Sequence, residues 1–146
     1  MEKKTGAENI EDFISTLRTW QGLERQALET TAKVMEQTQN SVIREVMEII
    51  RHDSLQHHRV QQFLIDTFTR APVTLSPDDM KEIWEQIEEH DRTEKKTIQI
   101  AKELREQCKF PVQKALLDYL ITDEEKHERL LDHLNQVKKG MFPYGS

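Results

Sequence analysis

Ionisable residues interrupt the apolar helical spacing of this chain at four places, and the four form two copies 70 residues apart. Glu24 and Glu94 sit in matching contexts, as do Asp53-Ser54-Leu55-Gln56-His57 and Asp123-Glu124-Glu125-Lys126-His127. A charge on the core stripe of a helix costs on the order of several kcal/mol unless something compensates it. Interruptions at corresponding levels call for a shared partner, and a metal ion or a pair of them is the economical one. Glu124 and His127, three apart, share a helix face and can grip one ion. A carboxylate oxygen with an imidazole nitrogen suits iron, manganese or zinc, whereas magnesium and calcium favour all-oxygen shells. Glu24 and Glu94 could bridge a second ion.

These residues must be carried by helices. From Ile10, apolar residues recur at Phe13, Ile14, Leu17, Trp20, Leu28, Val34 and Met35, with Glu24 on the same stripe. A turn at Gln37 to Asn40 leads to a second helix capped by Asn40 or Ser41. Its stripe is Ile43, Val46, Met47, Ile50, position 53 or 54, His57, Val60 and Leu64. Ser76-Pro77-Asp78-Asp79 is a helix start, with a capping serine, proline in the first turn and acids at the positive end of the dipole. The third stripe is Met80, Ile83, Trp84, Ile87, position 90 or 91, Glu94, Ile98, Ala101 and Leu104. Lys109-Phe110-Pro111 breaks that helix. The fourth carries Leu116, Leu117, Leu120, Glu124, His127, Leu130, Leu131, Leu134 and Val137, and Gly140 is expected to end it.

A shift of 70 superposes Phe13 on Ile83, Leu17 on Ile87, Ile50 on Leu120, Asp53 on Asp123 and His57 on His127. The chain is therefore expected to be all-α: a single four-helix bundle over 7–139, made of two duplicated hairpins at about 7–69 and 77–139, with a flexible tail at 140–146. Trp20 and Trp84 read as core aromatics and Tyr119 as packing. His52, His58 and His133 read as surface groups, and Cys108 as a small buried hydrophobe.

Composition narrows the function classes. A net charge of −6 disfavours non-specific nucleic-acid binding. The single cysteine excludes an internal disulfide and a cysteine-based metal cluster within one chain. No apolar run is long enough to span a membrane, and the charged start leads into no signal-type segment, so the expected location is cytoplasmic.

Asp123-Glu124-Glu125-Lys126-His127 resembles the Asp-Glu-x-x-His motif of the ferritin-like superfamily, particularly its rubrerythrin-like members. His52-Asp53-Ser54-Leu55-Gln56-His57-His58 is similar to the partner motif in the second helix. The resemblance covers roughly Ile10 to Val137 and departs once, where Ser54 stands in place of a chelating glutamate. It implies a ferritin-like bundle with iron as the cofactor, two ions in the full site, and manganese or zinc as alternatives. The implied ligands are Glu24, His57, Glu94, Glu124 and His127. Asp53 and Asp123 would orient the histidines of the opposite hairpin, and Asp91 or His90 would supply an extra group from the third helix. The implied activity is reduction of peroxide or oxidation of ferrous iron. With no Cys-x-x-Cys pair, a peroxidase would need an external electron donor. A non-catalytic bundle holding one metal ion or none, as a structural or interaction module, is the alternative.

The ferritin-like order also sets a length problem. With the second and third helices parallel, their link must climb on the order of 45 Å at about 1.5 Å per helical residue. About eight extended residues reach at most about 28 Å. Shorter helices, an up-down-up-down bundle, or a homodimer exchanging hairpins would each resolve it.

Overall fold

The structure, a computed structural model, describes residue 3 and residues 5–70 and 73–141, with the side chain of residue 141 excepted. It is all-α, with four helices: α1 (Gly6–Gln37), α2 (Ser41–Thr69), α3 (Pro77–Gln107) and α4 (Pro111–Met141). No strand occurs among the described residues. The chain divides into two compact units, Met1–Val73 and Thr74–Ser146. In the first, α1 packs on α2, and in the second, α3 packs on α4, so each unit is a helical hairpin. Residues 71 and 72 of the connection and residues 142–146 of the expected tail lie outside the described residues.

Local chemistry explains where each helix starts and stops. The Thr5 hydroxyl accepts from the Glu8 N–H at 3.2 Å, and the Thr5 N–H donates to Glu8 Oε2 at 2.8 Å. This reciprocal pair satisfies two amides that would otherwise lack partners at the start of α1. Ser76 and Asp79 repeat the device at α3, with Pro77 in the first turn. Hydrogen bonds from the Ser76 backbone and then its side chain hold the Asp79 carboxyl below its ordinary pKa. Asn40 caps α2, its Oδ1 accepting from Val42 at 3.0 Å and Ile43 at 3.1 Å. Both hairpin turns are three residues long, 38–40 and 108–110. Gln37 and Gln107 end α1 and α3, while Ser41 and Pro111 begin α2 and α4. The 70-residue repeat is thus kept to the residue at both turns.

One boundary differs from expectation. α4 runs through Gly140 to Met141. Gly140 does not adopt a left-handed conformation, so it does not act as a terminating cap. Lys138 and Lys139 in the last turn favour the negative end of the dipole and support the extra length.

The turns are tied from outside. In the first hairpin, Arg44 Nη1 donates to the carbonyls of Met35 (2.6 Å) and Thr38 (3.2 Å) at the end of α1. Arg51 Nη1 reaches the Leu28 carbonyl at 2.7 Å. In the second, an Arg105–Asp118 ion pair joins α3 to α4.

Each hairpin covers only a narrow seam. The first buries Leu17, Gln21, Glu24 and Thr31 from α1 with Ser54, Gln61 and Ile65 from α2. Spacings of four, three and seven are those of a two-helix seam rather than a broad core face. The second buries Met80, Glu94, Ile98 and Ala101 from α3 and Ile121 from α4. Trp20 is therefore not the core aromatic expected from the sequence: it is 51% exposed, one position off the Leu17–Gln21–Glu24 line. Phe13 is also exposed and meets Phe68 edge-on, ring centroids 5.3 Å apart. Cys108 is half-buried at the α3 C-cap, its Sγ 3.2 Å from Gln113 Oε1, so it is not a buried hydrophobe. No helix among the described residues is long and apolar enough to cross a membrane.

Candidate metal centre

The seam positions decide which polar groups meet. In the second hairpin, Glu94 projects from α3 into the α3–α4 seam and is 5% exposed. Opposite it, α4 brings Glu124 and His127, three apart and hence on one face. One ligand atom from each of Glu94, Glu124 and His127 lies within 4.8 Å of the others, and this group could hold a metal ion. His127 Nδ1 is 3.2 Å from Glu94 Oε1 and 3.7 Å from Glu124 Oε2. The imidazole sits at the rim of the seam, with 45% of the side chain exposed, while the glutamate lies at its floor. His90, one turn before Glu94, places Nε2 at 2.8 Å from the same Oε1.

The electrostatics of the group are those of a crowded pair of acids. Burial favours a protonated Glu94, but interactions with Glu124, His127 and His90 outweigh it and hold its pKa below the ordinary value. Glu124 is shifted the other way, by a hydrogen bond shared with Glu94, by burial and by the neighbouring negative charge. Two carboxyls this close ionise against each other, and of the two it is Glu124 whose carboxyl is pushed toward the protonated form. Glu94 Oε2 is buried and has no hydrogen-bond partner. An oxygen of that kind needs a proton or a cation. The donor set of two carboxylates and an imidazole fits a divalent transition metal on that test.

The chain matches no family model, no curated protein and no solved structure.

The first hairpin brings together a smaller set. His57 Nδ1 lies 3.4 Å from Glu24 Oε1, the counterpart of the Glu94–His127 approach. Glu24 is buried and His57 is 55% exposed. The helical wheel thus expects both histidines inward, and the structure puts both at the seam's edge. Position 54, where α4 has Glu124, is a buried serine. Of positions 53 and 54 the serine faces the seam, and Asp53 is half-buried.

The remaining expected groups are less central. Asp123 Oδ2 is 3.8 Å from His127 Nε2 on its own helix, and Asp123 Oδ1 is paired with Lys126 at 2.8 Å. Asp91 Oδ2 is held by Lys95 at 3.1 Å, while its Oδ1 is buried without a partner. Asp91 lines a cavity of about 120 Å³ with Trp84, Ile87 and Asn135. Tyr119 is half-buried on α4.

Two buried polar groups escape the sequence pattern. Gln21 donates to the His58 carbonyl at 3.3 Å and to Gln62 Oε1 at 3.1 Å. Gln61, four after His57, buries both amide atoms with no partner. Their only sequence signal is a glutamine at seam spacing from a charged seam residue, which is weak.

Proposed function

We propose that this chain is an iron-binding protein whose primary ion is held in the second hairpin by Glu94, Glu124 and His127. The observation that carries this reading is the convergence of those three ligand atoms on a buried carboxylate, one oxygen of which lacks a partner. Bound ferrous iron would supply a single electron to an oxidant reaching the exposed His127 side. Glu94 would hold the ion on the seam floor, Glu124 would bind it as a carboxylate, and His127 would close the site toward solvent. Oxygen, nitrogen and carboxylate donors favour iron, manganese or zinc over calcium and magnesium.

A second reading adds redox catalysis of the ferritin-like, rubrerythrin-like kind. The 3.4 Å approach of His57 to Glu24, repeating the 3.2 Å approach of His127 to Glu94, favours it. Peroxide reduction to water takes two electrons and two protons, so it matches two ferrous ions or one ion with an external electron donor. Ser54 weighs against a full second position, because a buried hydroxyl is a poor, short replacement for a carboxylate. The link length favours a homodimer in this reading.

Anaerobic titration with ferrous iron, then addition of peroxide or oxygen with the remaining ferrous iron measured by a chelator, separates the two. One ion per chain, giving up a single electron with no further turnover of peroxide, supports the first reading alone. Two ions consumed by about one peroxide support the second. Absence of any bound ion contradicts both.

A further inference from the structure

Two imidazoles, not one, converge on Glu94. His127 approaches Oε1 at 3.2 Å from α4, and His90 approaches the same oxygen at 2.8 Å from α3. His90 and Glu94 are four apart, so α3 places them on one face by backbone geometry alone. The His90 side chain is 62% exposed, yet its ring is turned back onto a buried carboxylate rather than out to solvent. Beside it, Glu94 Oε2 is buried without a partner.

We propose that His90 is a fourth metal ligand, giving the second hairpin a complete one-ion site of two imidazoles and two carboxylates. This rests on the proposed ion in that hairpin and goes further: it assigns a ligand from α3 and makes the site independent of the first hairpin. Three protein ligands leave a tetrahedral ion one short, and His90 supplies the fourth. Its ring lies on Glu94 rather than within reach of all three other donors, and rotation of the exposed side chain would bring it onto the ion. Asp91, the other group at this level, is engaged by Lys95 and lines the Trp84 cavity instead. Two imidazoles also shift the preference toward transition metals such as zinc, iron, copper or nickel and away from magnesium and calcium.

The repeat supplies an independent contrast. The residue 70 before His90 is Trp20, and the residue 70 before Glu124 is Ser54. The first hairpin therefore lacks two of the four ligands, keeping only Glu24 and His57. A simple surface hydrogen bond between residues four apart would explain the 2.8 Å contact without a ligand role, and the test must separate the two.

Cobalt(II) is the probe, added at one equivalent to the full chain, with proton NMR in water reading the hyperfine-shifted ring N–H signals of coordinated histidines. The expected result is two such signals in the wild type. His90→Ala should remove one and weaken cobalt binding at least about tenfold, the loss associated with supporting groups alone. His57→Ala should leave both signals. Circular dichroism checks that each variant is folded. A single shifted signal that survives His90→Ala overturns the proposal, whether or not affinity falls, and leaves a three-residue site. A wild-type chain that takes up no cobalt overturns the underlying metal reading as well, which is a distinguishable failure.

Discussion

The two hairpins have the same turn lengths and the same helix registers, yet they bury different chemistry. The second hides Glu94 among Met80, Ile98, Ala101 and Ile121, and sets Glu124 and His127 against it. The first buries Glu24 on a seam with Gln21, Thr31, Ser54 and Gln61, and Leu17 and Ile65 are its buried apolar residues among those described. Among the described residues one seam is apolar with a three-residue ionic cluster, and the other is polar along its length with only the Glu24–His57 pair. The same backbone scaffold can thus concentrate charge where a cation compensates it, or spread neutral polar groups that need none. Glu94 and Glu24 mark the same position in both, and their neighbours decide what each can hold.

The largest effect should come from removing the cluster's floor. Glu94→Leu should abolish tight metal binding, a loss beyond the roughly hundredfold seen for supporting groups. Without metal, the same variant should change stability little, because the buried charge is lost together with its contacts to two partly exposed histidines. Metal titration and chemical denaturation read the two halves. Retained metal binding would break the contrast between hairpins.

Ser54→Glu attempts the reverse, giving the first seam the carboxylate that α4 has. It should add one bound ion per chain, and in metal-free protein it should lower stability by about 1–3 kcal/mol, the cost of an uncompensated buried polar group. Atomic-absorption stoichiometry after dialysis checks it. An unchanged metal content would mean that Glu24 and His57 do not face position 54 as their counterparts face Glu124.

Acid should affect the second hairpin's ion early. Binding requires deprotonated carboxyls, and the raised pKa of Glu124 means its proton competes above the usual carboxylate range. In metal-free protein the two acids act oppositely. The raised Glu124 contributes stability at low pH that is lost as pH rises through its folded pKa. The lowered Glu94 contributes stability above its unfolded value that is lost as pH falls through its folded pKa. Calorimetry in two buffers of different ionisation enthalpy should detect proton release on binding just above the ordinary carboxylate range, and none well above it.

Smaller effects test the polar seam and the turns. Gln61→Leu, matching Leu131 in the repeat, should stabilise the first hairpin by about 1 kcal/mol by removing an unpartnered buried amide. No gain in a denaturation midpoint would mean that the amide is satisfied by solvent. Asn40→Ala should cost about 1 kcal/mol, since Asn40 alone caps two amides at a turn where the second hairpin uses Pro111.

Much of this was legible in the sequence because it is local. Asn40 and Ser76-Pro77 announce helix starts, and Lys109-Phe110-Pro111 a helix break, through chemistry confined to three or four residues. The matching levels of Glu24 with Ser54 and of Glu94 with Glu124 follow from a hairpin folded at a short turn, which brings positions equidistant from that turn together; His57 and His127 lie about one helical turn further on. Burial was less legible. Apolar stripes are wider than a two-helix seam, so Trp20 and Phe13 share the period of Leu17 without sharing its cover. Spacing likewise could not choose between Asp53 and Ser54, or between His90 and Asp91, since adjacent residues differ by about 100° around a helix. Only packing resolves them: it turns Ser54 and Asp91 toward the seam and leaves His90 exposed, its ring laid against Glu94.

The central claim is that the first ion belongs to the second hairpin. Anaerobic equilibrium dialysis against ferrous iron, comparing Glu24→Gln with Glu94→Gln, tests it most directly. Glu24→Gln should keep the affinity for the first ion, and Glu94→Gln should lose it. Equal loss in both variants, or no ion bound by the parent chain, would contradict it.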